Sequence, residues 1–344
     1  MGKFKKMVFG ILSILIVFII SACSTESNDE DVKEEAGSAG EKYTINIAYG
    51  NQPGEPIDKL ANKWKELAEE KSDKQLELKL YPSSQLGSEK DVVEQAVMGN
   101  NVVVLSGYDF LMDYVPDVGI LNGPYLVEDM DDLIYLTTTE WFDGIRNDLR
   151  NAKIELITAN TVYGERQLMT NKKVTNPKDL KGLKIRVPNN QMSIKTFEAM
   201  GAAATPAPLA DLYTSLQQGL IDGAENPLPV LQGVKTQEVS KNVALTGHQK
   251  FLVPWIAGTE FIETIPEDLV KILKETGEEA NEFGKGLIDE ETASVRKEFE
   301  DAGVKFHEVD INPFKEKVVG VYKEFPAWTP GLYDTIQELL KNRE

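Results

Sequence analysis

Predicted strands and helices alternate along the chain from residue 43 onward, and this alternation restricts the fold more than any other feature of the sequence. Strands are predicted at Tyr43–Tyr49, Leu76–Tyr81 and Asn101–Ser106. A helix at Pro56–Glu70 lies between the first two, and a helix that begins at the N-cap Ser88 lies between the last two. A β-α-β-α-β order of this kind predicts a mainly parallel sheet that is covered by helices.

The alternation resumes after residue 153. Further strands are predicted at Ile154–Ala159, Arg166–Thr170 and Leu183–Val187, and helices at Gln191–Met200 and Leu209–Gln218. A strand that runs into Ile221 and a further segment at Phe251–Phe261 follow. The stretch from 266 to about 302 has no internal proline, which predicts one long helix or a pair broken near Gly284. A chain of 344 residues is long enough for two domains, and such a helix is long enough to brace both.

The first 41 residues predict a secretion signal followed by a flexible tether. Lys3, Lys5 and Lys6 precede an apolar run, and Cys23 follows small residues in the pattern of a bacterial lipoprotein signal. We expect residues 1–22 to be the signal peptide and a lipid on Cys23 to anchor the protein to the extracytoplasmic face of the cell membrane. Residues 24–41 are rich in serine, glycine and acids, so they predict a disordered acidic tether.

The charge and the reactive residues exclude several classes of function. The chain has 56 acidic and 37 basic side chains, a formal net charge of −19, which argues against binding to nucleic acid and favours a soluble monomer on its tether. Cys23 is the only cysteine, so no intramolecular disulfide forms, and two histidines, His248 and His307, are too few for a histidine-rich metal site. The sequence has no nucleotide-binding fingerprint, and we expect no cofactor and no metal.

Two arginines stand out because the chain strongly prefers lysine. Arg166 and Arg186 are two of only six arginines, and each lies just inside a predicted strand. An isolated arginine on a strand usually forms a structural salt bridge or faces solvent, but here Pro188 ends the second strand and Asn226 follows at another strand end. Arginine pairs bidentately with a carboxylate, and ligands of open α/β sheets sit beyond the carboxyl ends of strands. Together these residues predict a site for a small organic anion.

Five motifs in this region give the chain a specific resemblance. They are Tyr81–Gly87 (YPSSQLG), Asn176–Pro188 (NPKDLKGLKIRVP), Gly201–Pro206 (GAAATP), Leu212–Gly219 (LYTSLQQG) and Asp222–Pro227 (DGAENP). In order and spacing the chain resembles the DctP-like solute-binding proteins of tripartite ATP-independent (TRAP) transporters, from about residue 43 to beyond 325.

The resemblance implies an α/β fold of the two-domain periplasmic-binding-protein type, a hinged trap that closes on its ligand, with a long helix spanning both domains. By position, residues 42–163 with about 252–290 form the first domain, and residues 164–251 with about 291–344 form the second. These bounds place the predicted cleft between the domains.

The resemblance also assigns site residues. Arg186 would form the salt bridge to the ligand carboxylate, Arg166 and the Asn226 amide would assist it, and Asn51 would contribute a polar contact from the first domain. Leu209 stands where the family often has Phe or Trp, so a ring-stacking contact is expected to be absent, which weighs against a bulky sugar acid.

Two aromatic side chains and one strand end complete these expectations. Trp255 is included as a wall of the pocket, although burial in the core is the favoured explanation. For His248, a place in the cleft and a structural role in the core both stay open. The stretch Val103–Phe110 lacks the Glu and Arg used by sialic-acid binders of this family, which disfavours sialic acid.

The leading hypothesis is a lipoprotein, not an enzyme, that captures a small organic acid and delivers it to the membrane subunits of a TRAP-type permease. The alternatives are a sensor lipoprotein of the same fold that signals to a membrane receptor, and an enzyme acting on carboxylated sugars. The enzyme would need a general acid–base pair, and none stands out. Dicarboxylates, keto acids, hydroxy acids and uronates all remain open as ligands.

Overall fold

In the part of the chain that the structure describes, nine strands form one mixed sheet, and twelve α-helices cover it. The computed structural model describes residues 41–343, so the predicted signal peptide, Cys23 and all but the last residue of the predicted tether lie outside the described residues. The strands are β1 (Tyr43–Ala48), β2 (Leu76–Tyr81), β3 (Val103–Leu105), β4 (Ile154–Thr170), β5 (Lys184–Val187), β6 (Ala203–Pro206), β7 (Gly223–Asn226), β8 (Asn242–Gly258) and β9 (Lys305–Glu308). The helices are α1 (Pro56–Lys71), α2 (Glu89–Val97), α3 (Tyr108–Leu111), α4 (Met130–Leu136), α5 (Glu140–Asn151), α6 (Gln191–Met200), α7 (Leu212–Gln217), α8 (Leu228–Gly233), α9 (Thr259–Ile262), α10 (Glu267–Asp301), α11 (Asn312–Val318) and α12 (Leu332–Lys341).

The strand order β2-β1-β3-β8-β4-β7-β5-β6 divides the sheet into two parallel groups, with β9 paired to β8. Strands β1 to β3 are parallel to one another, and so are β5 to β7. We call β1–β3 with α1–α3 the first half, and β5–β7 and β9 with α6–α8 the second half. The parallel groups agree with the predicted alternation, because parallel strands need helical crossovers.

The two halves are joined by the long strands β4 and β8. Each has 17 residues, and they pair antiparallel from Ile154 opposite Gly258 to Thr170 opposite Asn242. Four register shifts interrupt the pairing, and Gly164 in this stretch has a φ of +120°. These irregularities break the period of two that marks a strand in sequence. For this reason the sequence predicted two separate strands where the structure has the single strand β4.

Helix α10 is a single helix of 35 residues, about 52 Å long at 1.5 Å per residue. It packs against α1 and β4 and, further along, against α8 and β9. Of the two alternatives that the sequence left open, the structure has the single helix, with no break at Gly284. A Cβ atom there would lie 2.4 Å from Cδ1 of Leu60, and one at Gly277 would lie 2.7 Å from Cγ2 of Thr158. The glycines allow close helix packing rather than ending the helix.

The N-terminus of α2 has the capping arrangement that the sequence predicted. Ser88 accepts a hydrogen bond from the backbone of Asp91, and the Asp91 carboxylate accepts one from the Ser88 backbone. This capping box fixes the first turn of α2, and it therefore also fixes the position of Glu89 in that turn.

The C-terminal segment packs against the stretch that precedes and includes α4. The Tyr322 hydroxyl donates to the carbonyl oxygen of Pro124 at 2.7 Å, and Gln337 Nε2 donates to that of Leu126 at 3.1 Å. The C-terminal residues thus contact a stretch that the predicted bounds assign to the other domain, and those bounds stay a prediction. Within residues 41–343, no helix combines the length and the apolar character needed to span a membrane.

Candidate functional site

A pocket lies between the two halves, at the carboxyl ends of their parallel strands. It contains about 790 Å³ of space that no atom fills, part of it open to solvent. Its lining includes residues that closely follow β1, β3, β5 and β6, and the last residue of β7. Its polar lining residues are Asn51, Ser84, Ser88, Glu89, Lys90, Ser106, Tyr163, Arg166, Arg186, Asn189 and Asn226.

Arg186 brings a positive charge into this pocket without a carboxylate partner. It lies on β5 between Thr205 of β6 and Ala224 of β7, and its Nε atom donates to the carbonyl oxygen of Ala207 at 2.8 Å. Among the described residues, neither Nη atom has a hydrogen-bond partner and the side chain joins no salt bridge. Burial lowers the pKa of Arg186 to about 10, which still leaves it charged at neutral pH. Both Nη atoms are therefore available to an anion.

Arg166, by contrast, is paired inside the protein. Its Nε and Nη2 atoms lie 2.5 and 2.7 Å from the two carboxylate oxygens of Glu225, and its guanidinium lies 4.5 Å from the centre of the Phe251 ring. His248 Nε2 lies 3.2 Å from Glu225 as well, while its Nδ1 lies 2.8 Å from Thr246 Oγ1. Burial acts to raise the pKa of Glu225, but the charge and hydrogen bonds of Arg166 outweigh it and hold the pKa at about 2. The charge of Arg166 is thus balanced by a structural salt bridge, although the residue still lines the pocket.

Two asparagines stand on opposite sides of the pocket. Asn226 ends β7, and its buried Oδ1 has no hydrogen-bond partner in the described part of the chain. Asn51 follows β1, and its Nδ2 donates to Glu55 at 2.7 Å and lies 3.2 Å from the Tyr163 hydroxyl. Burial raises the pKa of Glu55 to about 7. Because the amide nitrogen of Asn51 is engaged, its Oδ1 is the atom left for a ligand, and it accepts hydrogen bonds.

Glu89 is a pocket residue that the sequence reasoning missed. Its Oε1 atom accepts hydrogen bonds from the Gly107 backbone at 2.7 Å and from Ser106 Oγ at 3.0 Å. Its Oε2 atom has no partner among residues 41–343. Burial raises the pKa of Glu89, and these two hydrogen bonds and the charges of Arg166 and Arg186 oppose the rise. The first half therefore places a carboxylate in the same pocket as the guanidinium groups.

A buried hydrogen bond joins the two halves beside the pocket. Asn190, the N-cap of α6, donates from Nδ2 to Asp109 Oδ2 of α3 at 2.9 Å and accepts from the Ser193 backbone at 2.8 Å. The other oxygen of Asp109 has no partner among the described residues, and burial raises the pKa of this carboxyl to about 7. The contact closes one edge of the pocket.

The structure brings five of the six predicted ligand residues together and corrects the expectation for the sixth. Arg186, Arg166, Asn226, Asn51 and Leu209 all line the pocket. Trp255 does not, because its ring is fully buried in the core, 5.3 Å from the centre of Trp64 and 6.0 Å from that of Tyr49. His248 is likewise fully buried, and it supports Glu225 from behind the pocket.

The missed residues left only weak signals. Glu225 lies in the DGAENP motif next to Asn226, and nothing in that short strand indicates that its carboxylate pairs with Arg166. Glu89 follows the N-cap of a helix, a position where acids are common because they favour the helix dipole. Residues 41–343 hold no group of three or more His, Cys, Asp or Glu side chains placed to bind a metal ion. The polar groups that line the pocket can bind an anion and hydroxyl groups.

Comparison with family models gives one match that covers most of the chain. The model described as bacterial extracellular solute-binding protein, family 7 (DctP), matches residues 47–327. Among curated proteins, the sialic acid-binding periplasmic protein SiaP of Vibrio cholerae is 28% identical over 264 residues, which cover 75% of this chain and 81% of that protein.

Two solved structures are more similar in sequence. A TRAP periplasmic solute-binding protein from Ochrobacterium anthropi, with bound L-fuconate, is 43% identical, with a TM-score of 0.85. Another from Actinobacillus succinogenes 130Z, with bound L-galactonate, is 42% identical, with a TM-score of 0.86. Each match covers 87% of this chain and 99% of the other. These matches confirm the predicted fold class, and the proteins matched bind solutes rather than catalyse reactions.

Proposed function

The chain belongs to family 7 of the bacterial extracellular solute-binding proteins, the DctP family, and from this membership we propose that its pocket captures an open-chain sugar acid. The observation that carries the proposal is Arg186, a buried guanidinium in a pocket between two halves, whose two Nη atoms have no partner among residues 41–343. A ligand carboxylate there would gain a bidentate, charge-assisted contact, with the Asn226 amide and Arg166 beside it.

Two features favour a sugar acid over the other acids that the sequence left open. The proteins 43% and 42% identical to this chain hold L-fuconate and L-galactonate, which are polyhydroxy acids. Leu209 supplies no aromatic face, but an open-chain acid has no ring to stack, so the argument from Leu209 against bulky sugar acids does not apply to it.

The capture mechanism follows from the position of the pocket between the halves. A ligand that contacts Arg186 from the second half and Asn51 from the first stabilises the closed arrangement more than an open one. The Asp109–Asn190 hydrogen bond closes the pocket edge in the same arrangement. In this proposal the protein, anchored outside the cytoplasm through a lipid on Cys23, then delivers the acid to a TRAP-type permease.

The test of binding compares three variants of the full-length protein, purified in mild detergent and titrated with L-galactonate and L-fuconate by calorimetry. Arg186→Ala removes one partner of a buried charge pair, which costs about 3–5 kcal/mol, or on the order of 10²–10³-fold or more in affinity. Arg186→Lys keeps the positive charge but loses the planar guanidinium that can pair bidentately with a carboxylate, so a smaller loss of affinity is expected. Lys184→Ala is the matched control, because it removes an exposed cation from the same strand.

Unchanged affinity in Arg186→Ala would reject the site, and a response only to neutral or cationic compounds would reject an acid ligand. Delivery is tested separately by deleting the gene and measuring uptake of the bound acid. Loss of uptake supports transport, whereas normal uptake with loss of a transcriptional response to the acid would favour the sensor alternative.

A further inference from the structure

We infer that Glu55 is a positioning residue that couples the pocket to closure, because it supports Asn51 in the pocket and seats its carboxylate in a notch at Gly233 of the second half. The inference deepens the proposed function and rests on it. Glu55 directly precedes α1 in the first half and does not line the pocket, and Gly233 ends α8 in the second half. The contact therefore joins the two halves outside the pocket.

Two hydrogen bonds hold the Glu55 carboxylate in place from the first half. Its Oε2 atom accepts from Asn51 Nδ2 at 2.7 Å, and its Oε1 atom accepts from the Gln52 backbone at 3.0 Å. The residue is 5% exposed, and within residues 41–343 it joins no salt bridge. A buried carboxylate without a basic partner costs stability. Packing alone therefore gives no reason for an acid at this position, whereas its bond to Asn51 links it to the pocket.

Gly233 leaves free the space that the Glu55 carboxylate occupies, and we call this space the notch. A Cβ atom on Gly233 would overlap Oε1 of Glu55 and would lie 2.6 Å from its Cδ and 3.0 Å from its Cγ. Turning the carboxylate alone would not clear such an atom, because the contact includes the stem of the side chain. The backbone of Gly233 is helical, and glycine lowers helix stability relative to alanine. The glycine therefore serves the contact with Glu55 and not the conformation of α8.

Both partners of this contact follow pocket residues along the chain. Asn51 lies four residues before Glu55, and Asn226 ends β7, two residues before α8 begins. These two asparagines line the pocket from the first and the second half. A ligand that bridges them draws together the segments that carry Glu55 and Gly233. When the halves separate, the notch loses its occupant, so the contact stabilises the closed arrangement alone.

The test is Gly233→Ala in the full-length protein, purified in mild detergent. The added methyl group fills the notch but suits a helix, so binding and folding should respond differently. Calorimetry should show L-galactonate bound about 10- to 100-fold more weakly than in the wild type. Radiolabelled L-galactonate, chased with unlabelled acid, should dissociate faster by a similar factor, because the closed arrangement is the one that is destabilised. The melting temperature of the ligand-free variant should equal or exceed that of the wild type.

Two further variants identify the cause of the loss. Gly144→Ala is the matched control, because this glycine also lies in a helix, α5, and a Cβ atom there would meet open space. It should leave the affinity for L-galactonate unchanged. Glu55→Ala removes the side chain that fills the notch. In that background, the additional change Gly233→Ala should weaken binding by less than about 3-fold.

The outcomes separate the inference from the proposed function. A Gly233→Ala variant that binds L-galactonate as tightly as the wild type overturns the inference, and so does one whose only defect is a lower melting temperature, since the contact would then be a fixed part of the fold. An equal loss of affinity with and without Glu55 overturns it as well. Each of these results leaves the proposed function standing if binding still depends on Arg186, whereas a wild-type protein that binds no sugar acid overturns both.

Discussion

The contrast between the two arginines leads to a quantitative prediction about stability. Arg166 and Glu225 are 3% and 0% exposed, and they form a bidentate pair. Replacing Arg166 with Met keeps most of the side-chain volume but leaves the Glu225 carboxylate buried beside His248 alone. Removing one member of a buried pair costs about 3–5 kcal/mol of the free energy of unfolding.

The pKa of Glu225 shows the same pairing through its pH dependence. Burial acts to raise this pKa, but Arg166 and His248 lower it from 4.5 to about 2 in the folded protein. Because the folded pKa lies below the unfolded one, the stability that the ionised carboxylate contributes is present above pH 4.5 and is lost as the pH falls towards 2.

The assay is urea unfolding of the ligand-free, full-length protein at pH 7.5, followed by tryptophan fluorescence. Arg166→Met should lower the free energy of unfolding by about 3–5 kcal/mol, and the double variant Arg166→Met/Glu225→Gln should recover much of it, because no unpaired charge stays buried. Arg296→Met is the control, since Arg296 is 45% exposed in its pair with Glu300 and should change stability by less than about 1 kcal/mol. An Arg166→Met midpoint equal to wild type, or a double variant no more stable than the single one, would refute the reasoning.

Three further predictions concern stability. Gly277→Ala should destabilise by about 1–3 kcal/mol through its clash with Thr158, whereas Gly286→Ala, which meets open space in the same helix, should stabilise by up to about 1 kcal/mol; equal melting temperatures would contradict the packing argument. Because burial raises the pKa of Asp109 from 3.8 to about 7, the folded state keeps a proton that the unfolded chain releases, so stability should fall by up to about 1.4 kcal/mol per pH unit between pH 4 and 7. The Asp109→Asn variant should show a smaller slope. If plots of the urea midpoint against pH have the same slope for the variant and the wild type, the prediction for Asp109 is wrong. Ser88→Ala removes the α2 cap and should lower the free energy of unfolding by about 0.5–2 kcal/mol in the same urea assay.

Local pattern was enough to predict many of the helices and strands and the position of Arg186. The apolar alternation around Arg186 and the stop at Pro188 place this side chain at a strand end, and the structure has it there. The partner of Arg166 was not predictable, because Glu225 lies 59 residues away and the chain contains many acids that fit equally well. Pairing between distant residues is a property of the folded sheet and leaves no local pattern.

The same limit explains the misplaced tryptophan and the unbroken helix. Trp255 lies on a strand that is buried on both faces, so alternation cannot tell which face meets the pocket and which meets the core. A glycine in a helix lowers helix propensity wherever it occurs. Only the positions of β4 and α1 show that Gly277 and Gly284 serve close packing.

The strand order has a consequence for the order in which the chain can fold. The sheet neighbour of β3 towards the second half is β8, which ends 153 residues after β3 ends at Leu105. The sheet of the first half therefore cannot be completed until nearly all of β4 to β8 is present. For this reason the two walls of the pocket are completed together, and neither half is a finished domain without the segment that crosses both.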